Sequence, residues 1–287
     1  MSEAWQDAPK ALVLVDFSAI AYSCWASAER AEAQGKLRWT EHISVCEFCM
    51  NGEKCPNPPP KQYDPHEVLK TNLRLKLMTL VEALSVSGIE ALVMVLDSHC
   101  QWRYDIFPGY KGKRDPNRFN PRPEAEAYLR EAYPNMKWFT APGHEADDAL
   151  ATLVRINKGK VPIIVVTGDK DLWQLFDSPS VRIFNPVTQE FLGAEKVAEK
   201  FWGLDRQHIR ALKALYGDSS DSLPNCAPRT QKQLVPLIRE AGGDLMKTIE
   251  LAKSRVNETC FGHLEKNLDQ IVVNWMLAGL RDDVELM

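Results

Sequence analysis

The chain has 287 residues, 45% of them hydrophobic and 26% charged, with a net charge of −4. That is the make-up of a folded protein with room for one large domain and a smaller one, and it excludes a disordered or fibrous chain. No apolar run approaches the ~20 residues needed to cross a bilayer, and Met1 to Lys10 is too polar for a signal peptide, so the expected location is the cytosol, away from membranes.

Ala11 to Val15 reads as a first strand ending in Asp16, and a helix through Ile20, Tyr22 and Trp25 runs toward Ala33. Gly35 to Lys61 then reads as an insertion of little periodicity carrying the cluster Pro56-Asn57-Pro58-Pro59-Pro60. Within it His42, Cys46, Cys49 and Cys55 stand at zinc-ligand spacing. A structural Zn²⁺ that orders the insertion competes there with unliganded thiols, which is how the seven cysteines of a cytosolic chain are read before disulfides. Asp64-Pro65-His66-Glu67 is a helix start, with an acidic cap and proline at the first position. Leu69, Leu73, Leu77, Leu80, Val81 and Leu84 trace its apolar face. After Gly88 a second strand ends at Asp97, completing a β-α-β unit.

The next stretch interleaves basic and aromatic residues: Trp102-Arg103, Tyr110-Lys111-Gly112-Lys113-Arg114, then Arg118 and Arg122. Basic groups neutralise phosphates and aromatic faces stack on unpaired bases. A helix from Pro123 to Ala132 and a short strand at Trp138 and Phe139 lead to Glu145-Ala146-Asp147-Asp148. Acidic residues in a first helical turn are ordinary complements of the helix dipole; their company gives them a second meaning. The run Ile163 to Val166 again ends in acid, Thr167-Gly168-Asp169-Lys170-Asp171. Leu172, Leu175 and Phe176 start another helix, Val181 to Phe184 reads as an edge strand, and Val187 to Glu190 as a turn. A composition shift near residue 193 marks a smaller helical lobe, with Val197 and Phe201 in one helix and Ile209, Leu212 and Leu215 in another capped by Asp205. Gly217-Asp218-Ser219-Ser220-Asp221 and a linker follow, then a helical tail from Leu251 to Leu280.

In an open α/β sheet ligands bind beyond the carboxyl ends of the strands. Asp16, Asp97, Glu145, Asp147, Asp148, Asp169, Asp171, Asp218 and Asp221 would therefore converge. Nine like charges share a small volume only with cations among them. Hard divalent ions, Mg²⁺ or Mn²⁺, match oxygen ligands, and two of them suit in-line attack of water on a phosphodiester. With those nine carboxylates set aside the net charge becomes +5, so the acidic balance does not argue against nucleic acid.

Six ordered motifs carry a resemblance: Asp16 after the first strand, Asp97 before Trp102-Arg103, Tyr110-Lys111-x-x-Arg114, Glu145-Ala146-Asp147-Asp148, Thr167-Gly168-Asp169-Lys170-Asp171 and Gly217-Asp218-Ser219-Ser220-Asp221. Together they resemble the metal-dependent 5′-nuclease family, which comprises flap endonucleases, phage 5′-3′ exonucleases and the 5′-nuclease part of bacterial DNA polymerases. The resemblance implies an α/β fold: a mostly parallel central sheet with helices on both faces, a PIN-like core, plus a smaller C-terminal helical lobe with a degenerate helix-hairpin-helix. It implies a catalytic domain over 1–192, with the insertion at 35–61 and a basic arch or gateway at 101–123, and a DNA-binding lobe over 193–287. By the same resemblance Asp16, Asp97, Glu145, Asp147 and Asp148 serve a first ion, and Asp169, Asp171, Asp218 and Asp221 a second. Lys111 and Arg103 would meet the scissile phosphate, Tyr110 would stack on the terminal base, and Lys113, Arg114, Arg118, Arg122 and Lys232 would bind DNA. Pro228 and Thr230 stand where the family's hairpin has glycines, a departure that weakens the expected grip on duplex DNA.

The implied activity is structure-selective hydrolysis of DNA at 5′ ends or flaps in replication or repair, including removal of RNA primers from RNA/DNA hybrids. The implied setting is a monomer in a bacterial or phage-infected cytoplasm, beside replication proteins. A PIN-type ribonuclease shares the acidic cluster, and the lobe around Gly217 to Asp221 argues against it. A catalytically silent DNA-binding scaffold would tolerate lost carboxylates, and this chain keeps all of them. No Walker A run is present, which argues against a P-loop NTPase.

Overall fold

The computed structural model describes residues 10–45, 50–52, 55–56, 64–85 and 88–287, with the side chains of 35–45 excepted. The chain divides into two compact units: Met1–Asp16 with Gly88–Arg118 and Lys137–Met287, and Phe17–Ser87 with Phe119–Met136. Among the described residues no helix is long and apolar enough to cross a membrane.

The first unit holds the sheet. Short runs form β1 (Ala11–Asp16), β2 (Ile89–Leu96), β3 (Lys137–Thr140), β4 (Ile163–Val166), β5 (Val181–Asn185) and β6 (Glu190–Phe191), those of β1, β2 and β4 apolar. Their order is β3-β2-β1-β4-β5-β6, parallel throughout except for the β5–β6 pair. The chain builds outward from β1 through β2 to β3, then returns to the other side of β1 at β4. This reversal opens a crevice at the carboxyl ends of β1 and β4, the place where open α/β sheets bind ligands. Val13, Val15, Met94, Ile164 and Val166 on one side of the sheet and Leu14, Val93, Val95, Ile163 and Val165 on the other are all buried, as parallel strands require.

Against the Leu14 side packs α5 (Ala146–Asn157), through Ala149, Leu150, Leu153 and Val154. The sheet's outer margin differs from expectation. Val181 to Phe184 lies one strand in from the edge, because the Asn185 side chain accepts the amides of Val187 (2.8 Å) and Thr188 (3.2 Å) and turns the chain into β6. An Asx turn of this kind closes a hairpin without glycine. The helix expected at Leu172 is a single 3₁₀ turn, Asp171–Leu175.

Beyond β6 the same unit continues as helices: α6 (Ala194–Lys200), α7 (Ile209–Tyr216), α8 (Gln231–Glu240), α9 (Leu245–Arg255), α10 (Glu258–Lys266) and α11 (Leu268–Ala278). Leu212, Leu215, Leu234, Ile238, Leu264 and Ile271 form their shared core. Asn274, fully buried on α11, donates to the carbonyls of Ala214 (3.0 Å) and Pro224 (2.9 Å), tying α7 to the turn that follows it.

In the second unit α1 (Phe17–Val45) packs on α2 (Pro65–Ser85), and both meet α4 (Arg122–Ala132). Asp64 accepts the His66 amide (2.9 Å), the anticipated start of α2. Leu69, Leu73, Leu77, Leu80 and Leu84 are buried, whereas Val81 is 46% exposed, one position off the stripe. The larger difference is α1, which passes through Gly35 to Val45, into the stretch read as an insertion. One glycine costs a helix only about 1 kcal/mol, and the residues around it are tolerable helix formers. Of the proposed zinc ligands, Cys55 is half-buried, while Cys46, Cys49 and the His42 side chain lie outside the described residues.

Candidate active site

The crevice at the strand ends is a small cleft open to solvent, bordered by Glu145, Asp147, Asp169, Asp171 and Asp221 and by the cations Arg103, Lys111 and Arg114. The carboxylates arrive on separate stretches of backbone, some of them in pairs. Asp16 ends β1 and accepts the hydroxyl of the fully buried Thr167 (2.9 Å), whose oxygen in turn accepts the Asp169 amide (2.9 Å). Thr167 thereby ties the tips of β1 and β4. Asp169 accepts the Asp171 amide (2.9 Å), bending the chain back toward the cleft. Glu145 stands at the N-cap of α5 in extended backbone, and Asp147 follows in the first turn.

Crowding is visible in the proton affinities. Burial first, and then Asp169, Asp16, Asp171 and Glu145, hold the Asp147 carboxyl well above the usual carboxylate range. Asp171 is pushed up to about 6 by burial, against the pull of Lys213. Asp218 is also desolvated, but Lys213 and Ser220 bring it down to about 2. Oxygens of Asp171, Asp218 and Asp221 lie within 4.8 Å of one another. An all-oxygen, all-carboxylate donor set of this density fits a hard divalent ion.

Asp218 and Asp221 reach the cleft because of Gly217. Its φ of 74° and ψ of −176° are a conformation essentially reserved for glycine. A Cβ there would stand 2.4 Å from the Leu223 carbonyl oxygen and 2.6 Å from Pro224. The turn is then closed by Asp218 and Leu223, which exchange backbone hydrogen bonds (3.1 and 2.8 Å). Gly217→Ala is expected to cost about 2 kcal/mol or more in urea denaturation, from strain plus overlap, and to weaken Mn²⁺ uptake in the same preparation.

Four expected site residues are placed differently from the expectation. Asp148 is fully buried, and both its oxygens accept from Arg103 (2.9 Å each); one also accepts the Arg281 amide (2.9 Å). The reason is helical geometry: adjacent residues point about 100° apart, so Asp147 faces the cleft while Asp148 faces the protein. Arg103, only 4% exposed, also gives its Nη1 to the Leu277 carbonyl (3.0 Å) and the Tyr110 hydroxyl (3.4 Å), while its buried Nε has no partner among the described residues; it is held as a buried brace bordering the cleft rather than as a free phosphate ligand. Tyr110 is 1% exposed, packed with Leu223 and Leu277, and its hydroxyl donates to Glu145 (3.0 Å) and faces Asp221 (3.5 Å). A ring so enclosed offers no face to a base. Asp97 accepts the Ala146 amide (2.9 Å), capping α5 and aiming Glu145 and Asp147.

Lys111 lines the cleft. Its φ of 53° turns the side chain inward, its amide donates to Asp221 O (3.0 Å), and its ammonium pairs with Glu145. Arg114 approaches Asp221 (3.6 Å) from an exposed position, and Lys113 and Arg118 are exposed. Arg122, at the start of α4, holds Asn120 (3.1 Å). Lys232 is exposed in the first turn of α8. In the linker before it, Arg229 rather than a glycine takes positive φ (62°), and Thr230 donates to the Ala227 carbonyl (2.6 Å).

Sequence reading passed over Lys213, whose ammonium lies between Asp171 and Asp218. The signal was there: with Ile209, Leu212 and Tyr216 it occupies the inward face of α7, where a lysine has no business unless paired.

A mostly parallel sheet with an acidic, cation-ringed cleft at its switch point defines a class in physical terms, an α/β protein with a cluster of carboxylates that could hold a metal ion. Residues 60–202 match the family model described as the 5′-3′ exonuclease, N-terminal resolvase-like domain. The flap endonuclease Xni of Serratia proteamaculans is 32% identical over 190 residues, which cover 64% of this chain and 73% of the relative. Thermostable DNA polymerase I of Thermus thermophilus is 32% identical over 220 residues, 72% of this chain; the chain spans about a quarter of that enzyme's length (25%). The bacteriophage T5 flap endonuclease, solved with DNA and metal ions, superposes with a TM-score of 0.64 at 18% identity, covering 95% of this chain and 90% of that one. The chain belongs to the 5′-3′ exonuclease and flap endonuclease family.

Proposed function

We propose that this protein hydrolyses DNA phosphodiesters at or near 5′ ends and flaps with the help of two divalent ions, Mg²⁺ or Mn²⁺. The observation that carries the reading is the convergence of five carboxylates from three separate chain segments, Glu145 with Asp147, Asp169 with Asp171, and Asp221, on one solvent-open cleft beside Lys111 and Arg114. Asp16, Glu145 and Asp147 would hold one ion; Asp169, Asp171, Asp218 and Asp221 would hold the other. Bound there, such ions make a water nucleophilic near neutral pH and offset charge on the leaving oxygen.

The chain's own groups do the rest. Lys111, held at the cleft by the left-handed turn, offsets charge building on the phosphate. Arg103 and Asp148 brace α3 (Gln101–Ile106) against α5, fixing where Glu145 and Asp147 point. Lys113, Arg114 and Arg118 form the exposed basic run that draws in the strand carrying the 5′ end, and the lobe over 193–287 contacts duplex through Lys232. The T5 enzyme's complex with DNA and metal ions supports a DNA substrate. We place the activity in the cytoplasm, in a monomer acting on replication or repair intermediates, RNA primers on DNA included.

Product sizing on a 5′-flap, a blunt duplex and single-stranded RNA, each with Mg²⁺ and with EDTA, tests this. Release of the flap with Mg²⁺ alone is expected. Preferential digestion of the RNA, or cleavage that survives EDTA, would overturn it.

A further inference from the structure

Lys213 is 8% exposed, and its neighbours on α7, Leu212, Ala214 and Leu215, are all core. Its stem therefore runs through the protein interior. The ammonium bonds to both Asp171 and Asp218, two of the three residues whose oxygens cluster within 4.8 Å. Lys111 differs, because it pairs with Glu145 from a turn at the mouth of the cleft.

We propose that the Lys213 ammonium is a built-in occupant of the second ion position, holding Asp171 and Asp218 together without an ion and withdrawing when a divalent ion binds. This rests on the two-ion reading above. An ammonium and a divalent ion held by the same pair of carboxylates repel strongly, because Lys213, Asp171 and Asp218 are themselves largely withdrawn from solvent although the cleft opens outward. Binding of the ion is thus an exchange, and its apparent affinity is lowered by the fraction of time that the lysine holds the site. A flexible four-carbon stem lets the charge withdraw without moving α7. The lysine keeps the ion-free protein from collapsing under its own carboxylates, and it makes the second position the weaker of the two. Cleavage then responds to free divalent ion over a range set by a side chain that touches neither water nor DNA in the reaction.

Lys213→Met keeps length and helix propensity while removing the charge. In calorimetric titration with Mn²⁺, without DNA, the wild type is expected to show one tighter and one weaker site. The variant should tighten the weaker site by about tenfold or more and leave the tighter one unchanged. Its melting temperature in EDTA should fall and be restored by Mn²⁺. A folded Lys213→Met protein whose weaker site is unchanged or weaker would overturn the exchange while leaving the two-ion reading intact. Should that variant fail to fold in EDTA, Lys213→Arg decides: retained charge must keep the second site weak, and a tightened site would overturn the proposal. If neither wild type nor variant binds Mn²⁺, the ion reading itself falls, and the exchange with it.

Discussion

Asp147→Asn is expected to silence cleavage and, at the same time, to raise the melting temperature of the ion-free protein. The two effects have one cause. Burial and four neighbouring carboxylates hold the Asp147 carboxyl well above its ordinary range. A carboxyl whose proton affinity folding raises destabilises the fold above its ordinary range, and that cost is relieved as pH falls from the raised value back toward the ordinary one. Asparagine removes the charge permanently and gives roughly 2–4 °C for each kcal/mol of repulsion relieved. Activity moves the other way. Losing one carboxylate that holds an ion should lower the rate on the order of 10³-fold, or about 4 kcal/mol of transition-state stabilisation. Scanning calorimetry in EDTA, paired with flap cleavage in Mg²⁺, reads both. A variant that loses stability and activity together would show that Asp147 is structural and not part of an ion-holding set.

The largest stability effect should come from Arg103→Ala. This arginine is the chief counter-charge of Asp148, which is fully buried with Arg103 on both its oxygens. Stranding one partner of a buried ion pair costs about 3–5 kcal/mol, a large share of the 5–15 kcal/mol that typically separates folded from unfolded. Asp148→Ala should cost a comparable amount, and the double variant less than the sum, because the second truncation removes the stranded charge. Mn²⁺ affinity of folded Asp148→Asn should stay near wild type. If instead that substitution leaves the melting temperature unchanged and removes an ion, Asp148 is a ligand and the division of labour between Asp147 and Asp148 is wrong.

That division shows how far the sequence could be read. Strand ends were legible because Leu12 to Val15, Leu92 to Leu96 and Ile163 to Val166 are apolar runs that stop at acid, and parallel strands put such stops at one edge of the sheet. The acidic start of α5 was legible as a unit. Which of two adjacent aspartates faces the cleft was not, since the answer depends on where Arg103 lies, 45 residues away in sequence. Tyr110 misled for a related reason. An aromatic within a basic, glycine-bearing run reads as exposed, yet the left-handed turn at Lys111 and the apolar wall of Leu223 and Leu277 enclose the ring. The end of α1 was misjudged because glycine and a break in periodicity are weak stops when the flanking residues still favour helix. Lys213 was passed over because a lysine on an apolar face reveals its partners only when Asp171 and Asp218 are seen in space.

The central claim is that distant carboxylates form one cleft that divalent ions occupy. Anomalous diffraction from crystals soaked in manganese tests it most directly. The expected map has one peak among Asp16, Glu145 and Asp147 and a second among Asp169, Asp171, Asp218 and Asp221, with oxygen ligands at about 2.0–2.6 Å and the Lys213 ammonium withdrawn from the second. A cleft without a peak at saturating manganese, in well-ordered crystals, would contradict the account.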